Sequence, residues 1–278
     1  PGTAVPGYKP GEIPPIPFFS IPPIDVFAQN ADKAVISSVS SAVASVPGVT
    51  VAPASCDTTG SYKHSGNTTF YSNGSSYTQS GDLSASNNGD GSGYISEGPI
   101  WVSYDGQGGG TYRNDDDDIS ISVNPDGSGH YYSPSVDINR WADGSGNYSN
   151  KDTGDDIQID PNGSSYFWND KTGTRYFNYG NGSGYYTDDT GLYIINNGDG
   201  TATINGETTV SADPLPTVQP VGAFPPVAGL APSQSCGTAI TLDDSVLFDF
   251  GESTVRADAA DTLAKLASVL ADAKVPAA

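Results

Sequence analysis

Asp143-Gly144-Ser145-Gly146-Asn147-Tyr148-Ser149-Asn150, then Lys151-Asp152-Thr153-Gly154, then Asp155-Asp156-Ile157-Gln158-Ile159: this run decides the fold. Asp-Gly favours a tight turn whose central residues need positive φ, and such turns join antiparallel strands. The Tyr-bearing residues after it read as a short strand. Lys151–Gly154 reads as a second turn. The alternation of Ile157 and Ile159 with polar neighbours reads as a second strand with one apolar face. One stretch thus encodes two strands and two turns.

The same signal recurs on both sides. Turn starts fall at Asn73, Asp90, Asp105, Asp126, Asp143, Asn162, Asn181 and Asp199, at steps of 17, 15, 21, 17, 19, 19 and 18 residues. A recurring period of this kind marks a repeat architecture. Tyr-rich runs follow the turns at Tyr94, Tyr112, Tyr131-Tyr132, Tyr166-Phe167 and Tyr185-Tyr186. Alternating β-branched runs precede them at Ile119–Val123, Val136–Ile138 and Tyr193–Ile195. The expected fold class is mainly β: an antiparallel meander or hairpin repeat array of about 16 short strands over residues 57–210.

Composition agrees with a thin core. The 278 residues include 34 Gly, 21 Pro, 16 Tyr and no Met, with a formal net charge of -21. Leu, Ile, Val and Phe make up about one-fifth of the chain, so aromatic packing and backbone pairing must carry much of the stability. Acids outnumber bases 32 to 11, which argues against nucleic acid as a partner, because a phosphate backbone is bound by neutralising it. No apolar run approaches the roughly 18 residues of a spanning helix. The strand runs are also too short and too polar for an outer-membrane barrel. The expected chain is therefore not membrane-spanning.

The flanks differ from the array. Residues 1–24 carry eight prolines and read as an extended polyproline-like arm. Its Ile13, Ile16, Phe18, Phe19 and Ile21 are apolar enough to lie on another surface, a neighbouring subunit included. Residues 25–50 hold a short helical stripe with Asp25 as its cap, ended by Pro47-Gly48. Residues 211–235 form a Pro-rich linker. Residues 237–278 return to strand-and-helix patterning and read as a truncated α+β segment.

Cys56 and Cys236 bracket the array and are expected to form a disulfide. An open meander of 16 strands would hold its ends roughly 70–80 Å apart at about 4.8 Å per strand. Bridged cysteines need Cα atoms within about 7 Å. Either the meander closes on itself, or residues 211–235 run back along it.

Two resemblances bear on function. The Gly-Ser-Gly-Tyr-Tyr pattern resembles MORN-type hairpin repeats, which implies a sheet with one aromatic face. The run Leu247-Phe248-Asp249-Phe250-Gly251, Ser253-Thr254-Val255-Arg256 and Asp258-Ala259, followed by Leu263, Leu266 and Leu270, resembles the opening of an OmpA-like C-terminal domain. That resemblance implies a cell-envelope protein, with peptidoglycan as partner where the native chain is longer. The later Thr-Asp and Arg-bearing segments of that family are absent from this sequence, so no binding residue carries over.

The expected function is a non-catalytic, exported scaffold of the outer membrane or cell envelope that self-assembles as a homo-oligomer or filament. The alternatives are a carbohydrate-binding face, with Trp101, Trp141 and Trp168 stacking on sugar rings, and a Ca²⁺-stabilised adhesin. Asp115, Asp116, Asp117 and Asp118 are the metal candidates; otherwise no cofactor is expected. His64 and His130 have no nucleophile turn beside them, and no catalytic residue is assigned.

Overall fold

The computed structural model describes residues 2–31, 49–53, 68–71, 73–232, 238–242 and 259–272. The elements begin with α1 (Val26–Ala31), β1 (Val49–Pro53), β2 (Thr68–Phe70), β3 (Ser76–Ser80), β4 (Leu83–Asn87), β5 (Ser92–Glu97), β6 (Ile100–Asp105) and β7 (Gly110–Asn114). They continue with β8 (Ile119–Val123), β9 (Gly129–Tyr132), β10 (Val136–Arg140), β11 (Gly146–Asn150), β12 (Asp155–Ile159) and β13 (Ser165–Asn169). Then come β14 (Thr174–Asn178), β15 (Gly184–Thr187), β16 (Tyr193–Asn196), β17 (Thr201–Ile204), β18 (Thr208–Ser211), β19 (Thr238–Leu242) and α2 (Ala259–Asp272). The chain is mainly β, as its periodicity requires. From β2 to β18, strands adjacent in sequence are neighbours in the sheet.

Two compact units form: residues 1–24 with 113–226, and residues 25–112 with 227–278. In the second, β1 pairs antiparallel with β19, Pro53 lying opposite Thr238. Cys56 and Cys236 lie outside the described residues, as do His64 and most of the residues that carry the OmpA-like resemblance. Of the helical stripe over 25–46, the described part is α1, where Asn30 donates a side-chain hydrogen bond to the Val26 carbonyl at 2.8 Å.

The turns differ in detail from a two-residue hairpin. At Asn124–Ser128 the Gly127 N–H donates to the Asn124 carbonyl at 3.0 Å, and the Asn124 N–H donates to the Ser128 carbonyl at 2.9 Å. The loop is therefore Pro125-Asp126-Gly127, a type I turn closed by a left-handed glycine (φ 76°). Trp141–Ser145 and Asp160–Ser164 repeat the bonding. Each Asp or Asn of the motif accepts the N–H two residues on, as Asp126 does from Ser128 at 2.8 Å and Asn162 from Ser164 at 2.9 Å. That side-chain turn is why Asp and Asn stand there. Two-residue loops do occur, at Gly81-Asp82 and Gly98-Pro99, where Ser80 pairs with Leu83 and Glu97 with Ile100.

In the first unit the register builds two rows on the buried face. One row runs Ile121, Tyr131, Ile138, Tyr148, Ile157, Phe167, Tyr176, Tyr186, Ile194, Ile204 across β8 to β17. From Ile121 to Phe167 it alternates aliphatic and aromatic side chains, because the two kinds of strand in each repeat alternate; Phe167, Tyr176 and Tyr186 then stand side by side, followed by Ile194 and Ile204. Such aromatic–β-branched cross-strand pairs are favourable. Stacked rings Phe167–Tyr176 (4.8 Å) and Tyr176–Tyr186 (6.0 Å) tighten it. The second row alternates large and small: Val123, Gly129, Arg140, Gly146, Ile159, Ser165, Asn178, Gly184, Asn196, Ala202. It is a line of slots.

Candidate functional site

The slots hold the chain's own Pro-rich segment. Ala212, Val221, Phe224, Val227 and Leu230 are buried, Leu215 and Val218 half-buried, and the residues between them exposed. The inward period is three residues. In the first unit the N–H groups of Ala212, Leu215, Val221 and Phe224 donate to the carbonyls of Gly200, Gly182, Gly144 and Gly127 at 2.7–3.0 Å. In the second, Val227 and Leu230 donate to Gly108 and Gly91, both at 2.8 Å. The acceptors are the left-handed glycines of the turns, with φ from 76° to 103°. The prolines at 214, 216, 220, 225, 226 and 232 all avoid the donating positions, because proline has no N–H to give.

The fit has a dimensional cause. A polyproline II helix advances about 9.3 Å per three residues. Two strands of a sheet occupy about 9.6 Å. One helical step therefore matches one hairpin, and the two stay in phase over several repeats.

The second glycine of each Gly-Ser-Gly motif makes the slot. A Cβ on Gly129 would lie 2.8 Å from the Phe224 ring, and one on Gly146 would lie 3.0 Å from Val221. In the second unit a Cβ on Gly110 would meet both Phe27 (3.0 Å) and Val227 (3.3 Å). Between slots stand buried asparagines. Asn178 donates to the Pro216 carbonyl and Asn196 to the Asp213 carbonyl, each at 2.7 Å, while their oxygens accept the N–H of Gly180 and Gly198. In the second unit Asn87 holds the Ala231 carbonyl in the same way. Each amide thus satisfies a turn donor and an extended-chain acceptor. Arg140 occupies the corresponding position on β10, and its Nε and Nη1 are buried without a hydrogen-bond partner among the described residues.

The N-terminal arm lies over the first row. Phe19 packs on Ile138, Ile157, Ile159 and Val221 and stacks on Tyr148 at 5.5 Å. Val5 and Ile13 pack with Tyr176, Tyr186, Leu192 and Ile194, and Ile16 touches both clusters. A small cavity lies among Ile13, Ile16, Tyr176, Asn178 and Leu215. In the second unit Phe27 packs edge-on against Tyr104 and Tyr112, and the Tyr104 hydroxyl donates to the Phe27 carbonyl at 2.7 Å.

Burial pushes the Tyr176 phenol well above its ordinary range. Burial, then the hydrogen bond to Asp188, pushes Tyr186 up to about 12. The acids sit on the exposed turns, where the Ser or Thr two residues on holds Asp90, Asp126, Asp143 and Asp199 below the usual carboxylate range.

No family model matches the chain, and no curated protein does. Among solved structures it is similar to the TCP10 domain of Danio rerio CPAP in complex with a STIL peptide. There the TM-score is 0.31 at 12% identity, over 52% of this chain and 82% of that one. It is also similar to the SAS-4 TCP domain of Drosophila melanogaster in complex with a proline-rich motif of Ana2. That match has TM-score 0.26 at 15% identity, over 55% of this chain and 94% of that one. At such TM-scores the likeness transfers neither partner nor role.

These findings correct the OmpA-like expectation. No OmpA-like family model is matched, and the matching structures are TCP β-sheet domains instead. The roles drawn from that resemblance fall with it: envelope scaffold, outer-membrane or exported location, and peptidoglycan attachment. Neither the fold nor the comparisons support the expected homo-oligomer or filament. Among the described residues no helix is long and apolar enough to cross a membrane.

The residues singled out in the sequence lie away from the slots. Trp101 is on β6, Trp141 in the β10–β11 turn and Trp168 on β13, each 40–45% exposed. They form no common row. Trp168 lies opposite Asp156 and Arg175, and the Arg175 guanidinium sits 4.6 Å from its ring centre. Asp115, Asp116, Asp117 and Asp118 form the exposed β7–β8 turn. There Arg113 reaches Asp115 at 3.1 Å and Asn114 donates to Asp117 at 2.7 Å. Among the described residues no three His, Cys, Asp or Glu side chains are placed to hold a metal. His130 bonds Asp137 across β9 and β10 at 2.8 Å on a half-exposed face.

The slot residues were missed by the sequence reading, although their signal was present. Leu215, Val218, Val221, Phe224, Val227 and Leu230 stand three apart, with proline excluded from each.

Proposed function

We propose that the chain is a non-catalytic polypeptide-binding module that grips extended, proline-rich segments along the slotted face of a hairpin sheet. It needs no cofactor for this. The observation that carries the reading is the period of three: an apolar side chain turned inward at every third residue from Ala212 to Leu230, with the backbone N–H donated to a turn glycine at six of these seven positions, Val218 being the exception. Recognition by pre-extended chain is economical, because a polyproline helix has little conformational entropy left to lose. The reading rests on this geometry and not on the peptide-bound structures named above.

Amide hydrogen exchange tests it. The N–H groups of Leu215, Val221, Phe224, Val227 and Leu230 are expected to be protected, and those of Thr217, Ala223 and Ala231 to exchange freely. Uniform exchange along 212–232 would overturn the proposal.

A further inference from the structure

The two extended segments on the buried face are held differently. Residues 212–230 make six backbone hydrogen bonds to turn glycines, and asparagine side chains bond carbonyls beside their inward residues. Among the described residues, the hydrogen bond between the sheet and residues 2–24 is Asn205 to the Gly2 carbonyl (3.3 Å). Over residues 10–24 the arm is held by side-chain packing of Ile13, Ile16 and Phe19.

We infer that the lane under residues 10–24 is an exchangeable docking site for a proline-rich segment of another polypeptide, with the chain's own arm as its resident occupant. This rests on the polypeptide-binding reading above. The lane itself specifies the chemistry of the ligand. It offers a row of aromatic and aliphatic side chains, Ile138, Tyr148, Ile157, Phe167, Tyr176 and Tyr186, and few backbone partners. It therefore selects apolar side chains at every third residue, as Ile13, Ile16 and Phe19 are spaced, and it tolerates proline between them. The chain's net charge of -21 disfavours an acidic partner and favours a neutral or basic one. The resident arm competes as a tethered ligand, whose effective concentration is on the order of millimolar for a flexible connection. An outside segment binds measurably once that competitor is loosened.

The test uses the full chain, wild type and I16D/F19D, with a labelled peptide of residues 10–24 sequence. A control peptide has the same composition with Ile13, Ile16 and Phe19 moved out of phase. The expected result is at least tenfold tighter binding of the in-phase peptide to the variant than to wild type, with the control not bound. Equal affinity for wild type and variant would refute the resident-occupant role. No binding by a variant that still melts cooperatively would refute the docking site. Should I16D/F19D fail to fold, the wild-type chain with fluorine-labelled phenylalanine at position 18, which is 65% exposed, decides the matter. Millimolar in-phase peptide is expected to narrow and shift that signal as the arm leaves, and an unchanged signal sinks the inference. Period-three exchange protection at 212–232 without peptide binding would leave the polypeptide-binding reading standing and remove this one. Loss of both would remove both.

Discussion

The C-terminal segment 212–232 and the N-terminal arm 2–24 share composition and an extended form, yet they are bound by different physics. The first threads its N–H groups onto turn carbonyls and drops one side chain into each glycine slot. The second lies on a row of rings and isoleucines with hardly a backbone bond. A net hydrogen bond contributes about 1 kcal/mol, so six of them separate an integral element from a removable one. The comparison shows that proline content makes a segment extended, whereas the phase of its non-proline residues decides how firmly it is held.

The difference can be broken most directly at the aromatic anchors. Phe224→Ala, which empties the Gly129 slot, is expected to cost about 3–5 kcal/mol. Phe19→Ala is expected to cost clearly less. Thermal melts of the two compare them, and equal losses would erase the distinction between the segments.

Filling a slot acts from the opposite side. Gly146→Ala pushes a methyl toward Val221 and the Asn139 carbonyl, 2.7 Å away. It should lower stability by about 1–3 kcal/mol in urea unfolding, with no comparable effect from alanine at the open Gly222. Asn178→Ala strands the Pro216 carbonyl and the Gly180 N–H. A similar loss of about 1–3 kcal/mol is expected, and hydrogen exchange should rise locally at Leu215.

Alkaline pH probes the aromatic row under the arm. Tyr186 titrates at about 12 in the fold against an ordinary value of 10.0. The folded state thus holds its proton more tightly, so this contribution is complete below pH 10 and is lost as pH rises toward 12. Urea midpoints at pH 9 and pH 11 should differ for the wild-type chain and differ less for Tyr186→Phe. The smallest effect is expected at Ser165, whose hydroxyl is buried without a hydrogen-bond partner among the described residues. Ser165→Ala copies the Ala202 slot and should raise stability by about 1 kcal/mol or less.

Much of the sheet was legible. The Asp-Gly and Asn-Gly turns, the Tyr runs and the alternating isoleucines follow from local chemistry, so strand existence and order could be read along the chain. The turn type was read less well. A type I turn closed by a left-handed glycine uses the same dipeptide as a two-residue hairpin, and Pro125 before Asp126 is the local clue. The candidate ligand residues were chosen for chemical conspicuousness, as Trp and Asp runs are. Here Trp168 is covered by an arginine and Asp115–Asp118 are turn residues. The slots are lined instead by glycine and the apolar face of the sheet, residues that announce nothing singly.

What the sequence determined by itself is what depends on neighbours along the chain. These are a mainly β meander, its turn positions, two extended proline-rich segments and an acidic surface. What only the tertiary structure decided is which face those segments cover and which of them is locked. That decision depends on matching about 9.3 Å of polyproline rise to about 9.6 Å of paired strands. Such a match between remote segments has no local sequence signature until the sheet exists to measure it against.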